Sequence, residues 1–255
     1  MGMDQVAFYE KNISFWNVHS RWAVREKYID YLLSSWRQNR FCRVIDIGCG
    51  CGQDAVILSK KLKEKDVDFE GIAVDQCQGA AKYARSRLDK LGDDNHWQLE
   101  ICDFFKQVWP VKFDVAICSM LVMHYKDVTS FLNGISKCLN TNGCLLFVVN
   151  NPFLVAYEYG LTYEEGGQYT HVFKENDSSD GIVVEKFFHT MTTYHNAATN
   201  ANLNVVGCEE IYDYSPEMRF FNDSKRNPFK FPNFFAFVLR KHLDDGNNSD
   251  GGIRK

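Results

Sequence analysis

The stretch Val44-Ile45-Asp46-Ile47-Gly48-Cys49-Gly50-Cys51-Gly52 decides how the chain is read. A short apolar run carries one acid, three glycines follow at alternate positions, and a helix-forming run begins at Ala55. This is the pattern of a strand, a tight turn and a helix. Glycine lacks a Cβ, so the backbone turns sharply there and a ligand can come close. The helix start behind it offers free N–H groups. In open α/β sheets, such a turn at the carboxyl end of a parallel strand is where nucleotides bind. The spacing departs from the dinucleotide fingerprint G-x-G-x-x-G, because the third glycine comes one position early and Gln53 stands in its place. No Lys-Ser/Thr pair follows, so the turn is not a phosphate-cradling loop either. Asp46 puts negative charge beside the turn, which suits a ligand with a cationic amino group and no phosphate.

Working outward, strands and helices alternate. Cys42–Ile47 reads as the first strand and Ala55–Lys63 as a helix. Phe69–Asp75 reads as a second strand ending in an acid, at roughly the distance a ribose-binding carboxylate requires. A helix follows from Gly79 to about residue 91, then a strand over Trp97–Ile101 ending in Cys102-Asp103-Phe104. There an aspartate can accept from an exocyclic adenine amine and a phenylalanine can pack on the ring. Lys112–Cys118 is a fourth strand, Asp127–Leu139 a helix, Asn142-Gly143 a turn and Cys144–Val149 a fifth strand. This alternation implies right-handed crossovers and a parallel sheet.

Composition sets outer limits. The 255 residues, 45% hydrophobic and 24% charged, fit one larger α/β domain over residues 1–243, with a polar, glycine-rich tail at 244–255 expected to be disordered. A net charge of -4 gives no global attraction to nucleic acid or anionic membrane. Nine scattered cysteines without a C-x-x-C pair argue against a disulfide framework and a zinc site, and fit a reducing cytoplasm. The first residues lack the features of a signal peptide, and no apolar run is long enough to span a bilayer.

Taken together, Asp46-x-Gly-x-Gly-x-Gly, the strand-end Asp75, Cys102-Asp103-Phe104, Phe113-Asp114-Val115 with His124-Tyr125, and Asn142-Gly143 resemble the class I S-adenosylmethionine (SAM)-dependent methyltransferases, within the UbiE/BioC-like group. The resemblance is close over residues 40–150 and loose elsewhere. It implies a Rossmann-like three-layer α/β sandwich whose seven-stranded, mostly parallel sheet ends in an antiparallel strand. Thr190–Ala201 as a helix, with Val205–Tyr212 and Asn233–Arg240 as the last strands, agree with it. It also implies SAM as cofactor, S-adenosylhomocysteine as product, and no metal. Gly48 and Gly50 would line the methionine part, with Asp46 near the amino end. Asp75 would hold the ribose hydroxyls with Gln76 beside it, Asp103 and Phe104 the adenine, and Cys118 would face the cofactor through its backbone.

The acceptor is less legible. Residues 5–40 are expected to form a helical lid, with Tyr9, Trp16, Arg21 and Trp22 toward the substrate. An insertion over residues 152–189 is expected to cap an aromatic or partly apolar small molecule with Tyr157 and Tyr169; the competing reading is a surface excursion with a mini-core of its own. His124 is the best candidate base, with His171 and His189 flanking the insertion; each also has a purely structural reading. The expected function is methyl transfer to oxygen or nitrogen of a small-molecule acceptor by a cytoplasmic monomer or homodimer. Nucleic acid is disfavoured, although His124-Tyr125 also occurs in messenger-RNA cap guanine methyltransferases. A SAM-binding subunit or sensor without turnover is the remaining alternative.

Overall fold

The computed structural model describes residues 3–13, 22–36, 39–94, 96–173, 182–213 and 230–242. Trp16, Arg21 and the 244–255 tail lie outside the described residues, as does the side chain of Trp22.

Helices α1 (Met3–Lys11) and α2 (Trp22–Ser35) precede the sheet. Then β1 (Phe41–Ile47), α3 (Gln53–Glu64), β2 (Asp68–Asp75), α4 (Gln78–Leu88), β3 (Trp97–Ile101), β4 (Phe113–Ser119), α5 (Val128–Cys138) and β5 (Leu139–Asn150) alternate as expected. After α6 (Pro152–Tyr159) come β6 (Gly167–Phe173), β7 (Ile182–Phe188), α7 (Met191–Asn200), β8 (Leu203–Ile211) and β9 (Phe234–Lys241). The main sheet has seven strands in the order β3-β2-β1-β4-β5-β9-β8. The first five pair in parallel, and β9 runs antiparallel to both its neighbours. The expected sheet is therefore borne out, with the antiparallel strand lying inside it, one place from the edge.

Strand side chains alternate between the two faces. Val44, Ala73, Val115, Ile117, Leu146 and Val148 pack against α2, α3 and α4. Ile45, Ile47, Ala116, Leu145, Phe147 and Val149 pack against α5 and α7. Both faces are covered, which is why the central strands read as nearly continuous apolar runs. Helix α5 shows the logic on the helical side. Its buried Val128, Phe131, Leu132 and Ile135 recur at helical spacing, and the Asp127 carboxylate caps its start by accepting from Ser130 N at 2.9 Å.

One local expectation needs correction. Asn142-Gly143 is not a turn ahead of the fifth strand; β5 already begins at Leu139, opposite Phe113, and pairing resumes at Cys144 opposite Val115. The residues between form a bulge, in which Asn142 takes the left-handed conformation (φ 64°) and the Asn140 amide donates to Asp114 at 2.7 Å. The 152–189 segment folds largely on itself. It contributes α6 and a separate two-stranded antiparallel sheet of β6 and β7, with a small core of Val155, Ala156, Tyr169 and Phe188.

Candidate functional site

The glycine turn sits where the carboxyl ends of β1 and β2 meet. Gly48 N and Cys49 N both donate to Val74 O, at 2.8 and 3.0 Å, which ties the turn to β2. Gly48 and Gly50 adopt φ of 72° and 53° and line a cavity of about 270 Å³. Gly52, at φ 80°, is the N-cap of α3 and leaves the first helical N–H groups without a side-chain cap.

Asp75, at the end of β2, lines the same cavity. One of its carboxylate oxygens accepts from Gly50 N and the other from Cys77 N, each at 2.8 Å. Burial pushes the Asp75 pKa up, and those backbone N–H bonds oppose the rise. Asp46 behaves differently. Strand alternation turns it toward α2 and α3, and it is 1% exposed. One of its oxygens has no hydrogen-bond partner in the structure. Burial drives its pKa well up, the nearby Asp54 carboxylate adds to the rise, and Arg25 counters it. Asp46 therefore lies behind the turn rather than on the cavity wall.

Arg25 is a residue that sequence reasoning missed. It lines the cavity, and its guanidinium donates to Asp54 at 2.6 Å, while the Tyr28 hydroxyl donates to the other Asp54 oxygen at 2.6 Å. Burial opposes its charge, but Asp54 beside it keeps the guanidinium protonated. The signal was present: Arg25 falls in phase with the buried stripe of Tyr28, Ile29 and Leu32, where a charge needs a buried partner.

The remaining cofactor candidates lie off the cavity. Asp103 caps the short 3₁₀ turn Phe104–Lys106, accepting from Phe105 N at 3.1 Å. Phe104 is buried and stacks on Trp109 at 5.5 Å. Gln76 hydrogen-bonds Tyr125 through its side chain. Cys118 is fully buried, and the next residue, Ser119, reaches the cavity instead.

At the far end, α1 and the β6–β7 hairpin meet the loop after β4. The Tyr9 hydroxyl lies 2.9 Å from His124 Nε2, and His124 Nδ1 is buried with no hydrogen-bond partner. Next to Tyr9, Glu10 accepts from Gly79 N at the start of α4, at 2.9 Å. Tyr9, Tyr169, His124 and His171 all line the cavity, and His171 Nδ1 hydrogen-bonds the Tyr159 hydroxyl. Tyr157 is 45% exposed and faces away. His189 is buried outside the cavity, where its Nε2 is 2.8 Å from the Tyr125 carbonyl oxygen; that bond orients the ring.

Burial lowers the His124 pKa to about 3, and the Lys186 ammonium adds to the drop. The folded chain thus holds a neutral ring where the unfolded chain would titrate near 6.5. His124 contributes stability that is full above about 6.5 and declines as pH falls toward about 3, by up to about 1.4 kcal/mol per unit. Urea titrations at successive pH values should show His124→Gln lacking this part of the acid loss. Equal acid slopes in the two proteins would contradict it.

Residues 45–145 match the family model described as a methyltransferase domain. Over that stretch the chain is similar to that family. Its fold is that of the SAM-dependent methyltransferases: a crystal structure so titled, from Clostridium acetobutylicum, superposes with a TM-score of 0.62, covering 92% of this chain and 99% of that one at 16% identity. Two curated proteins match the domain in part. Polyketide synthase ThaQ of Burkholderia thailandensis is 30% identical over 115 residues, 44% of this chain and 5% of the synthase. The ubiquinone biosynthesis O-methyltransferase of Azorhizobium caulinodans is 27% identical over 131 residues, 51% of this chain and 49% of that enzyme. The family match ends at residue 145, so α6, the β6–β7 hairpin and their cavity residues lie beyond it. Among the described residues, no helix is long and apolar enough to cross a membrane, and no cluster of His, Cys, Asp and Glu is arranged to hold a metal.

Proposed function

We propose that the domain methylates an oxygen or nitrogen atom of a small molecule, with SAM as donor. The observation that carries this is one cavity bounded at one end by Gly48, Gly50 and Asp75 and at the other by Tyr9, His124, Tyr169 and His171. When bound, SAM supplies a methyl group already activated on a sulfonium sulfur. The first end fits its methionine and ribose parts. Two glycines allow close approach, Arg25 offers a cation to a carboxylate, and Asp75 still has lone pairs for two hydroxyls. Asp103 and Phe104 are the candidates for the adenine, just beyond this cavity.

The second end fits an acceptor. Its polar and aromatic groups orient a small molecule, and proximity of this kind supplies roughly 7–11 kcal/mol of a methyl-transfer barrier. His124 is held by Tyr9 and stays neutral, so its ring shapes the acceptor end and fixes the direction of approach without adding charge. The size of the cavity, about 270 Å³, and the name of the O-methyltransferase relative support a small acceptor over RNA. We place the protein in the cytoplasm as a monomer or homodimer, consistent with its cysteine usage.

Incubation with methyl-labelled SAM and either a metabolite extract or total RNA tests the reading. Label is expected in the metabolite pool, reduced about 10²-fold in His124→Ala because the acceptor loses its positioning wall. Label in RNA alone would overturn the acceptor class, and SAM binding without label in either pool would favour a sensor.

A further inference from the structure

Most polar side chains of the acceptor end are already engaged within the protein. The Tyr9 hydroxyl and His124 Nε2 are 2.9 Å apart, and His124 Nδ1 is buried. Tyr159 and His171 hydrogen-bond each other. Lys186 is buried on β7 between Val184 and Phe188, and it and Glu158 of α6 both have partners.

Asn150 and Tyr169 differ. Asn150 ends β5, Tyr169 lies on β6, and both line the cavity. A carboxamide has two N–H hydrogens and one carbonyl oxygen. The Asn150 Nδ2 group donates to Met123 Sδ at 3.6 Å and to the Tyr169 hydroxyl. The direction of the second bond shows in its effect: it opposes the rise that burial causes in the Tyr169 pKa, as an N–H donor does. Both N–H hydrogens are thereby used, and Oδ1 is left over. Asn150 is half-buried, and Oδ1 is not one of the fully buried unpartnered atoms, so it opens to the cavity. Tyr169 stays a phenol; its oxygen takes the Asn150 N–H, and its own hydrogen is uncommitted. A hydrogen-bond acceptor on β5 and a donor on β6 thus stand side by side.

Resting on the methyl-transfer reading above, we propose that Asn150 and Tyr169 determine specificity by reading one neutral hydroxyl of the acceptor, which donates to Asn150 Oδ1 while its oxygen accepts from the Tyr169 O–H. A hydroxyl carries both senses on one atom. A carboxylate sets oxygen against oxygen at Asn150, an ammonium has no lone pair for Tyr169, and an ether has no hydrogen for Asn150. Each mismatch leaves a desolvated polar atom unpaired, which is how a hydrogen-bonding site rejects an analogue that lacks the group. An amide oxygen is too weak a base to take the proton, so the pair acts in binding and not in the methyl transfer itself.

The probes are 4-fluorophenol and 4-fluorotoluene, which exchange a hydroxyl for a methyl of similar size. Each is titrated near neutral pH into protein loaded with S-adenosylhomocysteine and followed by fluorine NMR. The wild type is expected to bind the phenol at least about tenfold tighter, because the methyl leaves two polar atoms unpaired. Tyr169→Phe and Asn150→Leu should each cut that preference to about twofold or less, since each removes one of the two bonds. 4-Fluorobenzoate should bind more weakly than the phenol. Four outcomes overturn the inference: no binding of 4-fluorophenol, no preference for it in the wild type, a preference undiminished in either variant, or tighter binding of 4-fluorobenzoate. Calorimetry of S-adenosylhomocysteine on the same samples separates the two levels. Failure of the wild type to bind it overturns the methyl-transfer reading, whereas binding it without the phenol preference overturns only the hydroxyl-reading pair.

Discussion

Asp75→Ala is expected to weaken S-adenosylhomocysteine binding by about a hundred- to ten-thousand-fold in calorimetric titration. The carboxylate serves two sets of donors. Within the protein it accepts from Gly50 N and Cys77 N, so it holds the glycine turn in the shape that receives the ligand. Toward the ligand it would accept from two ribose hydroxyls. Hydrogen bonds to a charged acceptor contribute about 1.5–3 kcal/mol each, so two lost ribose contacts amount to about 3–6 kcal/mol. At about 1.4 kcal/mol per factor of ten, that gives the stated range. Asp75→Asn keeps one oxygen acceptor and should fall between wild type and alanine. Binding unchanged in Asp75→Ala would remove Asp75 from the cofactor site.

Gly52→Ala is expected to cost about 2–5 kcal/mol of folding stability, the largest effect of any single methyl in the glycine turn. At φ 80° the residue is left-handed, which costs an L-residue about 1–2 kcal/mol. An added Cβ would also lie 3.0 Å from Ala84 Cα and 3.1 Å from Ala84 Cβ on α4. Backbone on a packed helix yields little, and overpacking of this kind typically costs about 1–3 kcal/mol more. Gly50→Ala is the control. It too is left-handed, at φ 53°, but a Cβ there meets nothing within 4 Å, so only the conformational cost of about 1–2 kcal/mol applies. Urea unfolding with an unchanged m-value should show Gly52→Ala as the less stable of the two. Equal midpoints would mean that α4 shifts to accommodate the methyl. The third glycine, one position early by the dinucleotide rule, is thus explained by helix packing rather than by ligand approach.

The sequence was most legible where physical constraints are local. Parallel strands buried on both faces must be apolar throughout, so β1, β4 and β5 stood out. Glycines at left-handed positions marked the turn, and the acid at the end of β2 had a chemical reason to be there. The β5 bulge escaped because Asn-Gly also favours a turn, and only pairing with Phe113 distinguishes the two. Asp46 owes its expected role to its place in the motif; strand alternation turns its buried side chain toward α2 and α3, where the cavity residue Arg25 offsets its charge. Tyr157 and Tyr169 looked equivalent as aromatic residues of the insertion, yet one is exposed and the other faces the cavity. That difference depends on how α6 and the hairpin fold against each other, which no periodicity over so short a stretch records. Lys186 was overlooked because a lysine in a strand is usually read as surface. Its phase with Val184 and Phe188 is the signal that placed it inside.

The β6–β7 hairpin forms a sheet of its own, sharing no strand with the seven-stranded sheet. On the proposed reading, donor and acceptor recognition stand on separate sheets, joined through the loop after β4, α1 and α6. Substitutions on the inner face of the hairpin can redraw the shape and charge offered to the acceptor while the register that holds Gly48, Gly50 and Asp75 stays intact. A new acceptor preference can therefore arise in this chain without a renegotiation of the methyl donor, and a transplanted hairpin would carry the old preference with it.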